Sequence, residues 1–206
     1  MKITLFGASG LVGGLLVPRL SGHEVICVGR HATAPDHHVA AVADWPAVVA
    51  DTKPDIVIST LGTTIRKAGS RAAFAAIDHE AVLAVAVAAK AAGARQFLMV
   101  SSVGANARAS NFYLATKGRV EDDVIALGFD RVDIFRPGLL VAVRAGDPRF
   151  VEQLMMALSP VTNLLTPAAF DRYRAIAARD VADAMASAVG AASAGVHIHH
   201  NREMLA

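Results

Sequence analysis

The chain has 206 residues, 54% of them hydrophobic and 18% charged, with a mean hydropathy of +0.43. Such a composition excludes a disordered chain and fits one soluble domain, residues 1–206, whose core is built from small side chains, since aromatics are only 5%. A net charge of +2 with no basic run longer than Arg66-Lys67 argues against a nucleic-acid partner, and a single cysteine, Cys27, excludes a disulfide framework and points to a reducing, cytoplasmic setting.

Short apolar runs alternate with helical stretches from the start. Lys2–Phe6 reads as a buried strand, Leu11–Leu20 as a helix and Glu24–Val28 as a second strand, within which Cys27 is a small core residue. The apolar stretch 3–17 is interrupted by four glycines, which argues against a signal peptide. Between the first strand and the first helix stands Gly7-Ala-Ser-Gly10-Leu-Val-Gly13. The first glycine permits a tight turn, the second lets the backbone approach a pyrophosphate, and the third lets helix and strand pack closely. The helix start then faces the anion, so Gly7, Ser9, Gly10, Leu11, Val12 and Gly13 are expected to contact a nucleotide. After the second strand an NAD site usually presents a carboxylate to the ribose. Here the strand ends Gly29-Arg30-His31, and Arg30 suits a 2′-phosphate, favouring NADP(H).

His37–Ala43 reads as a weak third strand, and Asp44 after it either accepts from an adenine amine or caps a helix. Asp55–Ser59 is a fourth strand, and Gly69–Ala92 is helical up to Gly93. The Ala/Val run 81–89 within that helix is stopped by Lys90, short of the ~20 residues a membrane span needs. No membrane association is expected, and the same helix is a candidate homodimer surface. Gln96–Ser101 is a fifth strand. Phe112–Leu127 is a helix capped by Ser110 or Asn111 and stopped by Gly128, and Arg131–Phe135 is a sixth strand. Continuous apolar strands separated by helices imply an α/β, Rossmann-like, doubly wound parallel sheet with helices on both faces. Beyond it, residues 139–179 are expected to form a small C-terminal substrate lobe with a helix near 149–158. A helix near 180–190, capped by Asp180, and a last strand Gly195–His199 complete the chain.

Ser102 closes the fifth strand at the edge where such sheets bind ligands. Tyr113 and Lys117 stand four apart, on one face of the following helix. A phenol with a pKa near 10 becomes a useful proton donor at neutral pH only beside a cation, which Lys117 supplies while also holding a ribose hydroxyl. Ser102 can hydrogen-bond a substrate oxygen as charge develops on it. His197, His199 and His200 lack the companion carboxylates or thiols of a metal site, so no metal is expected. Phe150, Leu154, Met155, Leu158, Leu164 and Leu165 either form an apolar lid or pack the C-terminal lobe.

The glycine loop, Ser59-Thr60-Leu61-Gly62-Thr63-Thr64, Ser101-Ser102-Val103-Gly104-Ala105, Ser110-Asn111-Phe112-Tyr113, Lys117-Gly118 and Phe135-Arg136-Pro137-Gly138 together resemble a short-chain dehydrogenase/reductase. The resemblance is to the atypical, NADPH-binding group of the Tat-interacting oxidoreductase, and runs from residue 1 to about 190. It implies Leu61, Gly62 and Pro137 beside an NADPH cofactor, with Ser102, Tyr113 and Lys117 as the catalytic set. The implied activity is reduction of a carbonyl on a small, apolar molecule; the alternative is a non-catalytic NADPH sensor. Standard members also carry an Asn in the helix before the fifth strand, holding a relay water. No Asn occurs between residues 52 and 105, and Asp78 and His79 are the nearest polar residues.

Overall fold

The computed structural model describes residues 1–32, 37–141 and 172–206. Apolar runs become strands: β1 (Lys2–Phe6), β2 (Glu24–Gly29), β3 (His38–Val39), β4 (Ile56–Ser59), β5 (Gln96–Val100) and β6 (Arg131–Phe135). β7 (Leu139–Val141), β8 (Ala175–Ala177) and β9 (Gly195–His199) follow. The helices are α1 (Leu11–Leu16), α2 (Trp45–Thr52), α3 (Ile65–Ala68), α4 (Arg71–Ala75), α5 (Val82–Ala91), α6 (Phe112–Ala126), α7 (Ala178–Ala188) and α8 (Asn201–Met204).

Seven strands form one sheet in the order β3-β2-β1-β4-β5-β6-β9, every pair parallel. The expected doubly wound fold is therefore present. β1, β4, β5 and β6 are almost wholly buried because helices cover both faces. On one face Trp45, Val49, Val82, Val85, Ala86, Val120 and Val124, from α2, α5 and α6, pack against Phe6, Val57, Phe97 and Ile134. On the other, Val12, Leu16, Val181, Ala182 and Met185, from α1 and α7, pack against Ile3, Leu5, Ile58 and Leu98. The order of connection reverses between β1 and β4, so the crevice beyond their carboxyl ends lies between the loops at Gly7 and Thr60.

Several boundaries differ from the sequence expectation. The third strand shrinks to two residues. The stretch from Gly69 is not one helix: Gly69, at φ +86°, ends α3, and Ser70 Oγ accepts from Ala73 N–H to start α4. A π turn over Ala76–Ala81 joins α4 to α5. The resulting Arg71–Ala91 stretch, 21 residues, is long and apolar enough to cross a membrane by length and composition. Its inward face, including Phe74, Val85 and Ala89, is core. Of the two candidate caps for α6, Asn111 serves: its Oδ1 accepts from Leu114 N–H at 3.1 Å. Asp180 is the third residue of α7, not its cap, which is Ala177. β7 and β8 pair in parallel and bring the two ends of the 139–177 segment together. The helix expected near 149–158 and the apolar residues Phe150 to Leu165 lie outside the described residues.

Candidate active site

The loop after β1 is shaped by what its glycines exclude. Gly7 has φ +90°, and a Cβ there would lie 2.6 Å from Thr60 Oγ1; one on Gly13 would lie 2.3 Å from Gly7 O. Both keep β1, α1 and the β4 loop in contact. A Cβ on Gly10 would meet only Gly7 O, at 3.1 Å, so the outer side of Gly10 is open. Gly10 also stands at the N-cap of α1 without a side-chain cap bond. Ser9, Gly10 and Leu11 are exposed, whereas Val12 is core, leaving Val12 only its backbone N–H for a ligand.

Arg30 is exposed immediately past β2, and Asp44 is exposed before α2. The capping alternative for Asp44 fails, since its side chain makes no cap bond. Hydrogen bonds continue past the carboxyl ends of the paired strands. From β4 to β1, Thr60 N–H donates to Phe6 O, and from β5 to β6, Ser101 N–H donates to Phe135 O and Val103 N–H to Pro137 O, while β4 and β5 pair directly. Half-buried Leu61, exposed Gly62, half-buried Ser102 and buried Pro137 thus share one edge of the sheet.

The first turn of α6 packs on the loop after β5, with Asn106 N–H donating to Leu114 O. Tyr113 is half-buried, with its ring centroid 5.4 Å from that of Phe74. Lys117, one turn on, is buried, and its Nζ would sit 3.9 Å from a Cβ on Gly62. Ser102 Oγ–H donates only a long bond, 3.3 Å, to Val103 O. Tyr113, Lys117 and Ser102 therefore stand on elements that meet over the ends of β4 and β5.

Three features escaped sequence reasoning. Lys117 Nζ lies 2.7 Å from Asp78 Oδ1, an ion pair with side-chain exposures of 5% and 0%. Glu121, four residues after Lys117 and equally buried, pairs with Arg136 at the end of β6. The helical spacing of Lys117 and Glu121 was the available signal; their partners were not. Gly118 lets α6 touch the preceding loop, since a Cβ there would lie 2.1 Å from Ala107 N.

Of the three C-terminal histidines, His199 has a structural role. His199 stacks on Phe135 at 4.4 Å and its Nε2 lies 2.9 Å from Asp133 Oδ1. Among the described residues no three His, Cys, Asp or Glu are placed to hold a metal. Cys27 is core, and burial pushes its thiol up, which keeps it protonated and unreactive.

The profile of the NAD dependent epimerase/dehydratase family matches residues 3–118, more than half of the chain. The chain belongs to that family. The protein FMP52, mitochondrial, of Meyerozyma guilliermondii is 34% identical over 170 residues, covering 77% of this chain and 73% of the relative. The protein HTATIP2 of Rattus norvegicus is 35% identical over 156 residues, covering 69% and 64%. These relatives support the atypical dehydrogenase/reductase group. Among solved structures, WbmH of Bordetella bronchiseptica in complex with NAD+ superposes with a TM-score of 0.70 at 17% identity, covering 97% of this chain and 75% of that one. The dTDP-4-dehydrorhamnose reductase of Bacillus anthracis in complex with NADP matches with a TM-score of 0.70 at 16% identity, with the same coverages. Both show the fold. One expectation is corrected: the fungal relatives are named mitochondrial, which overturns the cytoplasmic placement. A lone cysteine reports a reducing setting, and reducing settings are not confined to the cytoplasm.

Proposed function

We propose that the chain is an NADPH-dependent oxidoreductase that reduces a carbonyl group on a small, apolar molecule. The observation that carries this reading is the placement of Tyr113 and Lys117 one turn apart on α6, with the lysine ammonium against the Gly62 loop. The residues present fit the cofactor. The open side of Gly10 and the uncapped N–H groups of α1 suit a pyrophosphate, Arg30 suits a 2′-phosphate, and Leu61, Gly62 and Pro137 line the edge where a nicotinamide would lie. Asp44 is set to receive an adenine amine.

The nicotinamide, when bound, supplies the hydride. Ser102 Oγ–H donates to the substrate carbonyl oxygen and orients it. Tyr113 Oη–H gives its proton to that oxygen as the carbon is reduced. Lys117 stabilises the phenolate left behind and holds the ribose, and solvent returns the proton to Tyr113. The sequence between β7 and β8, which pair with each other, is rich in Phe, Leu and Met, and this content favours an apolar substrate.

Steady-state NADPH oxidation against a panel of carbonyls and quinones tests the reading. Tyr113→Phe removes one oxygen, so its turnover is expected to fall by roughly 10²–10⁴-fold with NADPH affinity near wild type. Equal nonzero rates for wild type and variant would remove Tyr113 from the chemistry. A wild type that binds NADPH but turns over nothing on the panel would favour a nucleotide sensor.

A further inference from the structure

Asp78 is a fully buried carboxylate to which the mechanism above assigns nothing. It stands on the π turn that joins α4 to α5, a departure from regular helix that often accompanies functional positions. Its two oxygens have separate tasks. Oδ2 accepts from Thr63 N–H at 2.9 Å, while Oδ1 faces Lys117 Nζ at 2.7 Å and takes no aligned hydrogen bond. Oδ1 would also lie 3.8 Å from a Cβ on Gly62, so the pair borders the loop that closes the site.

Stability alone does not account for such a pair. Burying both charges costs desolvation, and apolar residues of similar volume would serve packing as well or better. Nor is the pair needed to dock α6, because Glu121–Arg136 and the core residues Val120 and Val124 already fasten it. We propose that Asp78 is a positioning residue, which holds the Lys117 ammonium in place for the nicotinamide ribose of NADPH. This rests on the cofactor reading of Lys117 given above. The Thr63 N–H turns the carboxylate so that Oδ1 remains for the lysine. An amide cannot replace it: with one oxygen to accept and one nitrogen to donate, the side chain of Asp78→Asn would present an N–H either to Thr63 N–H or to the ammonium.

Fluorescence titration with NADPH, which needs no substrate, tests this on wild type, Asp78→Asn, Lys117→Met and the double variant, with thermal unfolding to verify folding. Asp78→Asn is expected to weaken NADPH binding about tenfold. Added to Lys117→Met it should change affinity by no more than about twofold, since a residue acting through another has no effect once that other is gone. Loss of a negative charge near a polyanion would by itself tighten binding, the opposite sign. Asp78→Glu keeps the charges balanced and displaces the carboxylate, so it should fold and bind with intermediate affinity. Unchanged or tighter binding by folded Asp78→Asn, an equal loss in both backgrounds, or wild-type affinity in Asp78→Glu would overturn the proposal and leave the function standing. A wild type that binds neither NADPH nor NADH would overturn the function, and this proposal with it.

Discussion

Under the proposed function, a single exposed side chain, Arg30, distinguishes two cofactors that differ by one phosphate. The strand end Gly29-Arg30-His31 offers no carboxylate to a ribose hydroxyl, and the proposed function assigns Arg30 to a 2′-phosphate. A charge-assisted contact of that kind corresponds to roughly a 10- to 100-fold preference for NADPH over NADH. Arg30→Asp is expected to abolish or reverse it. Paired titrations with the two nucleotides measure the ratio, and a wild type that binds both equally would contradict the role. The other candidate residues divide by what they offer. Gly7 and Gly13 act by lacking a side chain, whereas the proposed function gives Tyr113, Lys117 and Ser102 roles through theirs.

Among the elements, α6 carries the most. Asn111 starts it, Tyr113 and Lys117 point its first two turns at the site, and Gly118 brings it against the loop at Asn106 and Ala107. Intrinsic propensity favours Ala over Gly in a helix interior by about 1 kcal/mol. At position 118 that preference is outweighed, because a Cβ would meet backbone atoms of Asn106 and Ala107 at 2.1–2.5 Å, and backbone cannot swing aside as a side chain can. Gly118→Ala is therefore expected to be destabilising, by about 1–3 kcal/mol, and to weaken NADPH binding by shifting Lys117. Urea unfolding measures the first effect and cofactor titration the second. A stabilised variant would show that the loop yields.

For the whole molecule, stability towards acid depends on a buried cluster centred on Asp133, in the middle of β6. Asp133 accepts from Gln96 Nε2, from Arg131 Nε and a terminal guanidinium nitrogen, and lies against His199 Nε2. This joins β5, β6 and β9, and Gln96 extends the cluster to Ala188 at the end of α7. Burial pushes the Asp133 carboxyl up, but hydrogen bonds from His199, Arg131 and Gln96 outweigh it and hold the group below its ordinary value. The folded state then binds fewer protons than the unfolded one. The contribution is complete above the ordinary carboxylate range near pH 4 and is lost as pH falls through that range to the lower folded value. Urea unfolding from pH 7 to 3 should show stability dropping below about pH 4. Asp133→Asn should be less stable at neutral pH and show a shallower acid drop; an unchanged acid limb would assign the drop to other carboxylates.

By itself the sequence determined the layered α/β class, the succession of the main strands along the chain, the glycine loop and the Tyr113–Lys117 face, because these rest on local periodicity and spacing along one strand, turn or helix. It also narrowed the helix cap to two residues, of which geometry selected Asn111. The break at Gly69, the π turn, and the pairs Asp78–Lys117 and Glu121–Arg136 were decided only by tertiary structure. Each of these depends on which atoms of distant segments are brought within about 3 Å, a distance that the helical and strand repeats of the sequence do not encode.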